Sequence, residues 1–411
     1  MRITSIETIR TAQQSNLCFV TLTTDMGLVG LGESFYGAST VETYIHDQLA
    51  PALLALDDPS PHAVASAMRP YVGYQGGGAE TRALGAVDMA LWDLLGKQAG
   101  LPLSALMGGT VRSSVRTYNT CAGPKYVSST SQQTSSNWGV AGSDSHIYED
   151  LIAFLTRPRE LARSLLGEGY TAMKIWPFDQ AAERNHGVDL TQQELDAGVR
   201  IVGEIRDEIG DDLDIMIELH GLWLPRGAMR IAQALEPYRP FWLEDPIRPD
   251  AVHALQSLKQ QTSIPIAAGE TTVGRRGFLP LLDEGAIDVV TVDIGWTGGI
   301  TEALRVASLA DTFGVLIAPH DCTGPVSLAV ATHLICTQTN GLIQESARAF
   351  MATWYRDAAE GFPTVVNGAL TPSSTPGHGV SLADDLVGRP GITVRSSSLS
   401  DFDNLPLPIR K

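Results

Sequence analysis

The chain has 411 residues, of which 44% are hydrophobic and 18% are charged, and its formal net charge is −17. This balance is typical of a globular protein with a large core and excludes a mainly disordered chain. The excess of acidic residues argues against nucleic acid and against an anionic membrane as partners.

Targeting and cofactor motifs narrow the class further. The first residues show no basic segment followed by an apolar one, and no apolar run approaches the roughly 18 residues of a membrane helix. We therefore expect a cytoplasmic protein. Four scattered cysteines without CxxC spacing indicate neither a disulfide framework nor a zinc knuckle. The absence of GxGxxG and GxxxxGK[ST] argues against nucleotide binding.

The first 112 residues indicate an α+β domain. Alternating polar and apolar residues predict a meander of three strands, at 4–11, 17–23 and 28–33. Helical spacing then predicts two helices, at 40–54 and 81–99. We expect a kink at Pro51 in the first helix and the end of the second at Gly100. The glycine-rich stretch 71–78 predicts a loop between them.

Residues 122–150 are rich in Ser, Thr, Gly and Gln. A stretch of this length without a helix or strand pattern is usually either a disordered insertion or an active-site lid. The sequence favours neither interpretation. In a lid, Tyr126, His146 or Tyr148 could reach the pocket.

Between 113 and 360 strand and helix patterns alternate, which predicts a parallel α/β barrel. The predicted strands span 115–120, 171–175, 213–219, 241–244, 264–270, 287–293, 315–320 and 342–345. Because no fingerprint of a doubly wound sheet is present, we predict a closed barrel. Residues 361–411, which are rich in Pro, Gly and Ser, are expected to form a tail that returns to the first domain.

Ionisable residues recur at the carboxyl ends of the predicted barrel strands. They are Lys174, Glu218 with His220, Glu244, Glu270, Asp293, His320 and Glu345. From Glu218 onward the intervals are 23 to 27 residues, about one strand-helix unit. The carboxyl-terminal face carries the active site of such barrels, so we expect these groups to converge there.

Three of these residues predict a metal site. Glu218, Glu244 and Glu270 would raise one another's pKa in a shared pocket unless a cation balanced them. Ligation by oxygen alone favours Mg²⁺ over zinc. The alternative is that the three acids lie on the surface of unrelated loops.

Asp293 and His320 end adjacent strands, so a hydrogen bond between them would fix the imidazole tautomer and make His320 a general base. A structural histidine is the alternative. His220 points to the same side of its strand as Glu218 and could reach a substrate. Glu345, if protonated, could donate a hydrogen bond to an oxyanion, or it could be a helix N-terminal charge. Lys174 could neutralise a substrate carboxylate or lie in solvent.

A family resemblance rests on several combined motifs. They are Glu244-Asp245-Pro246, Gly269-Glu270-Thr271, Asp293 with Gly298-Gly299, Pro319-His320, the stretch 86–93 and Gly108-Gly109. Over nearly the whole chain they resemble the mandelate racemase and muconate lactonising enzyme branch of the enolase superfamily. The resemblance implies a capping domain, with loops near 14–30 and 71–80 closing over a (β/α)7β barrel that carries Mg²⁺. It also implies removal of the proton next to a carboxylate through a metal-stabilised enediolate.

Two departures from the family pattern direct the functional prediction. Glu218 stands where the family usually has Asp, and Trp176 stands where many relatives have the second lysine of Lys-x-Lys, a base. His220, two residues after the first metal ligand, is similar to the acid-sugar dehydratases of the group. We therefore predict a Mg²⁺-dependent dehydratase, a lyase, in which His320 and His220 act as base and acid in an order that the sequence leaves open.

Other functions stay open on this evidence. A racemase, epimerase or cycloisomerase could use the same scaffold, and so could a catalytically silent metal-binding or interaction protein. A Mg²⁺ barrel aldolase would not need the capping domain. The expected partner is a small-molecule carboxylate, a sugar acid, and we expect a homo-oligomer because such barrels often assemble.

Overall fold

The computed structural model describes residues 1–68, 77–130, 134–140 and 148–402. The N-terminal part is an antiparallel sheet of β1 (Ile3–Thr11), β2 (Leu17–Thr24) and β3 (Val29–Phe35). A late strand, Ile392–Ser398, pairs with β1 and completes four strands. The predicted loop at 71–78 and its closing role fall mostly outside the described residues.

A 21-residue helix, Ala79–Ala99, packs closely on this sheet. Its approach requires glycine in β3, because a Cβ on Gly30 or Gly32 would lie 2.2 Å or less from a backbone oxygen of the helix. The helix ends at Gly100, whose φ of 67° is in the left-handed region, as predicted.

The helix predicted at 40–54 is irregular for a different reason from the one expected. It consists of Ala38–Tyr44, a π-helical stretch Ile45–Leu49, and Ala50–Leu54. The departure from α geometry therefore lies before Pro51, and the proline stands at the start of the last segment, where its missing N–H costs least. A further helix, Pro61–Ala67, was not predicted.

Eight parallel strands form the second part of the fold. They are β4 (Val115–Thr120), β5 (Ala172–Ile175), β6 (Asp214–Glu218), β7 (Trp242–Glu244), β8 (Ile266–Ala268), β9 (Val289–Val290), β10 (Leu316–Ile317) and β11 (Gln344–Ser346). Neighbours in the chain pair in order, and β11 pairs with β4. Backbone hydrogen bonds of Ile317 with Asn340 and Leu342 close the ring. The predicted α/β barrel with an N-terminal capping fold is confirmed.

Helices follow the barrel strands. They span Asp150–Thr156, Pro158–Gly167, Asp179–Asn185, Gln192–Ile209, Pro225–Leu235, Val252–Lys259, Gly274–Asp283, Ile294–Thr297, Ile300–Thr312, Pro325–Thr337, Arg348–Ala352 and Trp354–Ala358. Among the described residues, no helix has the length and apolar character needed to cross a membrane.

Two features of the barrel position the site. A cluster of buried residues, with one member in each strand or directly next to it, fills the interior: Tyr118, Ala172, Met216, Trp242, Ala267, Val289, Ala318 and Ile343. The last strands are shorter than predicted, so Glu270, Asp293 and His320 lie just beyond β8, β9 and β10. Asp293 and His320 still pair as parallel neighbours there, at the mouth above the packed interior.

Buried hydrogen bonds attach the N-terminal part to this mouth. The Glu33 carboxylate accepts from the backbone N–H groups of Val326 (3.0 Å) and Ser327 (2.8 Å) at the start of the helix Pro325–Thr337. Asp88 accepts from the backbone N–H and the hydroxyl of Thr301 at 2.9 and 2.6 Å. Side chains of the N-terminal part are thereby held over the barrel.

Candidate active site

A cavity of about 480 Å³ lies over the carboxyl ends of the barrel strands. The N-terminal part, the segment after β4 and the barrel all contribute to its wall. Lining residues include Tyr36, Arg82, Tyr126, Trp138, Lys174, Trp176, Asp179, His220, Glu270, Trp296, His320 and Glu345. The predicted polar groups thus meet where the barrel topology places them.

Glu218, Glu244 and Glu270 form a buried group of carboxylates. One oxygen from each lies within 4.8 Å of the others. Burial raises the pKa of Glu244 to about 8 and also raises the pKa of Glu270, and repulsion from neighbouring acids adds to both shifts. Glu218 Oε2 has no hydrogen-bond partner. Three buried carboxylates whose oxygens lie this close together could bind a metal ion.

Lys174 supplies part of the missing charge. Its Nζ lies 3.2 Å from Glu218 Oε2, 3.0 Å from Glu244 Oε1 and 2.9 Å from Glu345 Oε1. Burial lowers the pKa of Lys174, but Glu244 and Glu345 outweigh it and raise the pKa well above its ordinary value. Lys174 is thus a counter-ion of the protein's own acids, and a role toward a substrate carboxylate stays a prediction.

Glu345 is ionised in this arrangement. Its Oε1 accepts from Thr120 and Lys174, and its Oε2 accepts from the backbone N–H of Asp321 at 2.9 Å. Burial raises the pKa of Glu345, but Lys174 and His320 bring it to about 2. Each of these contacts stabilises the carboxylate over the neutral acid, and the role of Glu345 toward an oxyanion stays a prediction.

His320 lies between two acids. Its Nδ1 is 2.8 Å from Asp293 Oδ2, and its Nε2 is 3.3 Å from Glu270 Oε2. Asp293 Oδ1 accepts from the N–H of Trp296, which orients the carboxylate. Burial lowers the pKa of His320, but Glu270, with further acids, raises it well above its ordinary value. The Asp293–His320 contact thus has the predicted geometry.

His220 has a carboxylate partner of its own. Its Nδ1 is 2.7 Å from Asp179 Oδ2, and its backbone N–H donates to Glu218 Oε1 at 2.7 Å. Burial lowers the pKa of His220, but Asp179 and Glu218 raise it to about 10. His220 has a positive φ of 49°, which turns the chain sharply after β6.

The two histidines face each other across the barrel mouth. His220 follows β6 and His320 follows β10, and three strands separate β6 from β10 in either direction around the ring. Opposite strands of a ring lie on opposite sides of its axis. A ligand in the cavity would therefore have an imidazole on each side.

Trp176 follows β5, at the position where many relatives have a second lysine, and its side chain is buried. Its ring packs against Tyr126 (5.1 Å between centroids) and Trp138 (6.5 Å) of the segment after β4, and lies 5.9 Å from His220. Tyr126 reaches the cavity. Tyr148 does not line it, because its ring lies 4.4 Å from the Arg348 guanidinium carbon. His146 lies outside the described residues.

Sequence reasoning missed three charged residues of the cavity, Asp179, Glu183 and Arg82. Asp179 lies at the start of a short helix, five residues after Lys174. The surrounding sequence has no strand or helix periodicity that would single it out. Arg82 belongs to the helix Ala79–Ala99, whose apolar stripe was recognised while its polar face was not. Only the packing of the N-terminal part on the barrel brings Arg82 to the site.

Comparison with known proteins places the chain in a family. Residues 4–108 match the mandelate racemase / muconate lactonizing enzyme N-terminal domain, and residues 157–386 match the enolase C-terminal domain-like family. The chain is 29% identical to a D-galactonate dehydratase of Pectobacterium atrosepticum, over 98% of this chain and 97% of that one. It is 30% identical to a D-gluconate/D-galactonate dehydratase of Picrophilus torridus, over 75% and 71%.

Solved structures agree with this placement. An enolase of the mandelate racemase subgroup from Agrobacterium tumefaciens is 40% identical, with a TM-score of 0.85, and the match covers 97% of this chain and 100% of that one. Both domain matches follow one another along the chain in the order of the two structural parts. The chain therefore belongs to the enolase superfamily, in its mandelate racemase / muconate lactonizing enzyme family.

Proposed function

We propose that this protein is a Mg²⁺-dependent dehydratase of a sugar acid. The observation that carries the proposal is a pair of histidines, each with an aspartate on Nδ1, on opposite sides of a cavity beside three clustered carboxylates, of which Glu270 lines the cavity. Relatives that carry dehydratase names support the reaction class.

The carboxylates fit a hard cation. The donor set of Glu218, Glu244 and Glu270 offers oxygen alone, and Glu218 Oε2 lacks a hydrogen bond. When bound there, Mg²⁺ would polarise the substrate carboxylate and lower the cost of removing the neighbouring proton. The charge of Lys174 lowers the pKa of Glu218, Glu244 and Glu345, although burial still leaves the pKa of Glu244 at about 8.

His320 is the proposed base. It takes the proton from the carbon next to the substrate carboxylate, and Asp293 keeps Nδ1 protonated so that Nε2 accepts. Glu270 contributes to the raised pKa of His320. Once Glu270 is paired with a cation, this contribution falls and the neutral imidazole that a base requires is favoured.

His220 is the proposed acid. With a pKa raised to about 10, chiefly by Asp179, it carries a proton at neutral pH despite its burial. It donates this proton to the hydroxyl on the next carbon, which leaves as water while the electrons of the broken C–H bond form the double bond. The resulting enol becomes a 2-keto-3-deoxy acid by tautomerisation. Histidines on opposite sides of the cavity suit loss of the proton and of the hydroxyl from opposite faces.

A screen of sugar monoacids and diacids with Mg²⁺ tests the proposal. We expect formation of a 2-keto acid from at least one of them, and a loss of at least 100-fold in kcat for His320→Asn and for His220→Asn. His62→Asn, at an exposed position of the helix Pro61–Ala67, is the matched control. Full activity of His320→Asn would refute the assignment of the base.

A racemase, epimerase or cycloisomerase is the second candidate. The opposed positions of His220 and His320 would also let one imidazole remove a proton and the other return it on the opposite face. Trp176 argues against the familiar arrangement of this chemistry, because an indole takes up no proton. Deuterium incorporation into an epimer, without keto acid, would favour this candidate.

A further inference from the structure

Arg82 is a cation in the cavity wall that forms no ion pair with any residue in the described part of the chain. Among the cavity-lining residues that the structure describes, Lys174 has three carboxylates within 3.2 Å, whereas Arg82 forms no ion pair with a described residue. Its Nε is buried and has no hydrogen-bond partner. A partly buried cation that forms no ion pair is costly, so a ligand that supplies an acceptor would bind here at a gain.

Aromatic rings hold the guanidinium in place. Its central carbon lies 5.1 Å from the Trp296 ring centroid and 5.9 Å from that of Tyr36. Contacts of this kind orient arginine but leave its edge donors unused. The Trp296 Nε1 also lacks a hydrogen-bond partner. The cavity wall therefore presents two unused donors side by side.

The distance between His320 and the Arg82 guanidinium determines which part of a substrate these donors could contact. Trp296 packs on His320 with 5.0 Å between ring centroids, so the Arg82 guanidinium carbon lies within about 10 Å of the His320 ring. In an extended six-carbon acid, C2 and an oxygen on C6 are roughly 6 Å apart, given C–C bonds of about 1.5 Å. A charge-assisted hydrogen bond adds about 2.8 Å. The far end of such an acid thus reaches Arg82 while C2 is beside His320.

We propose that Arg82, with Trp296, binds a second carboxylate at the far end of the substrate, so that the preferred substrate is a six-carbon sugar diacid. The inference rests on the proposed function and refines it. A terminal hydroxyl would accept a hydrogen bond but would leave the arginine charge unbalanced. Asp179 and Glu183 also line the cavity, so a singly charged group is favoured over a doubly charged phosphate.

Two acids that differ only at carbon 6 provide the test, one with a carboxylate there and one with a hydroxymethyl group. We expect the wild-type protein with Mg²⁺ to prefer the diacid by roughly 10- to 100-fold in kcat/KM, mainly through KM. Arg82→Gln should bring this ratio close to one, and Arg82→Lys should restore part of it. Arg226→Gln, at a surface position, is the control and should keep the wild-type ratio.

Three results would overturn the inference. They are equal efficiency of the wild type with both acids, an equal loss with both acids in Arg82→Gln, and a preference for the acid phosphorylated at carbon 6. A binding measurement distinguishes a failure of this inference from a failure of the proposed dehydratase function. In a Mg²⁺-loaded His320→Asn background, adding Arg82→Gln should raise the dissociation constant of the diacid at least tenfold and change that of the monoacid much less, even where no keto acid forms.

Discussion

Acid should weaken this fold at one buried histidine. His333 lies in the helix Pro325–Thr337 and is fully buried. Its Nδ1 accepts from the backbone N–H of Ser104 at 3.1 Å, and its Nε2 donates to the carbonyl of His378 at 3.3 Å. These contacts join the barrel, the end of the N-terminal part and the C-terminal tail. Burial, with some repulsion from His378, lowers the pKa of His333 from 6.5 to about 4.

The size of the effect follows from this pKa. Between pH 6.5 and pH 4 the unfolded chain binds a proton that folded His333 does not, so the stability is full above pH 6.5 and falls as the pH falls. A tenfold change in proton affinity is worth about 1.4 kcal/mol, which makes the total loss roughly 3 kcal/mol below pH 4. At pH 5 the loss is about 2 kcal/mol.

His333→Gln isolates this contribution, because glutamine can accept from Ser104 and donate to His378 without titrating. Urea unfolding would be followed by tryptophan fluorescence at pH 7.5 and pH 5.0, in EDTA to remove metal linkage. We expect the wild type to lose about 2 kcal/mol more than His333→Gln between the two pH values. His62→Gln should behave as the wild type does. Equal losses in the wild type and His333→Gln would refute the reasoning.

Three further predictions concern the site and its support. Asp150→Ala should lower the free energy of unfolding by roughly 3–5 kcal/mol in urea, because it leaves the buried Arg348 guanidinium without its bidentate partner. Asp179→Asn should move the alkaline limb of the kcat–pH profile to lower pH, since His220 loses the charge that chiefly raises its pKa. Mg²⁺ at 100 times its Kd should stabilise the wild type by about 2.7 kcal/mol and raise its Tm. Glu218→Gln should abolish this rise in Tm.

Matched variants separate these effects from general damage. Asp250→Ala breaks an exposed ion pair with Arg248 and should cost no more than about 1 kcal/mol, so an equal cost for Asp150→Ala would contradict the role of burial. An unchanged alkaline limb in Asp179→Asn would show that another group protonates the leaving hydroxyl. A Mg²⁺-dependent rise in the Tm of Glu218→Gln would place the metal elsewhere.

The barrel and the positions of most polar groups could be predicted from the sequence because two patterns repeat along it. Strand and helix patterns alternate, and an ionisable residue ends nearly every strand. Parallel strands in a ring bring such residues to one face, so Glu218, Glu244 and Glu270 could be placed together before any distance was known. Their roles as metal ligands stay a prediction.

What the sequence did not reveal depends on tertiary distances. Lys174 and Glu345 were given roles toward the substrate, but their contact of 2.9 Å ties them to each other. Arg82 reaches the cavity from another part of the chain, so no local pattern marks it. Asp179 begins a short helix in a stretch without a repeating sequence pattern, and the π-helical stretch before Pro51 has no sequence pattern that distinguishes it from an α-helix. Each of these features is decided by packing between elements.

Proton NMR of the reaction in deuterated water with Mg²⁺ is the most direct test of the proposed reaction. With a sugar acid that the protein accepts, the account predicts a 2-keto-3-deoxy acid that carries deuterium on carbon 3, because the enol is protonated there by solvent-exchanged protons. Appearance of the carbon-2 epimer with deuterium on carbon 2, and no keto acid, would contradict it.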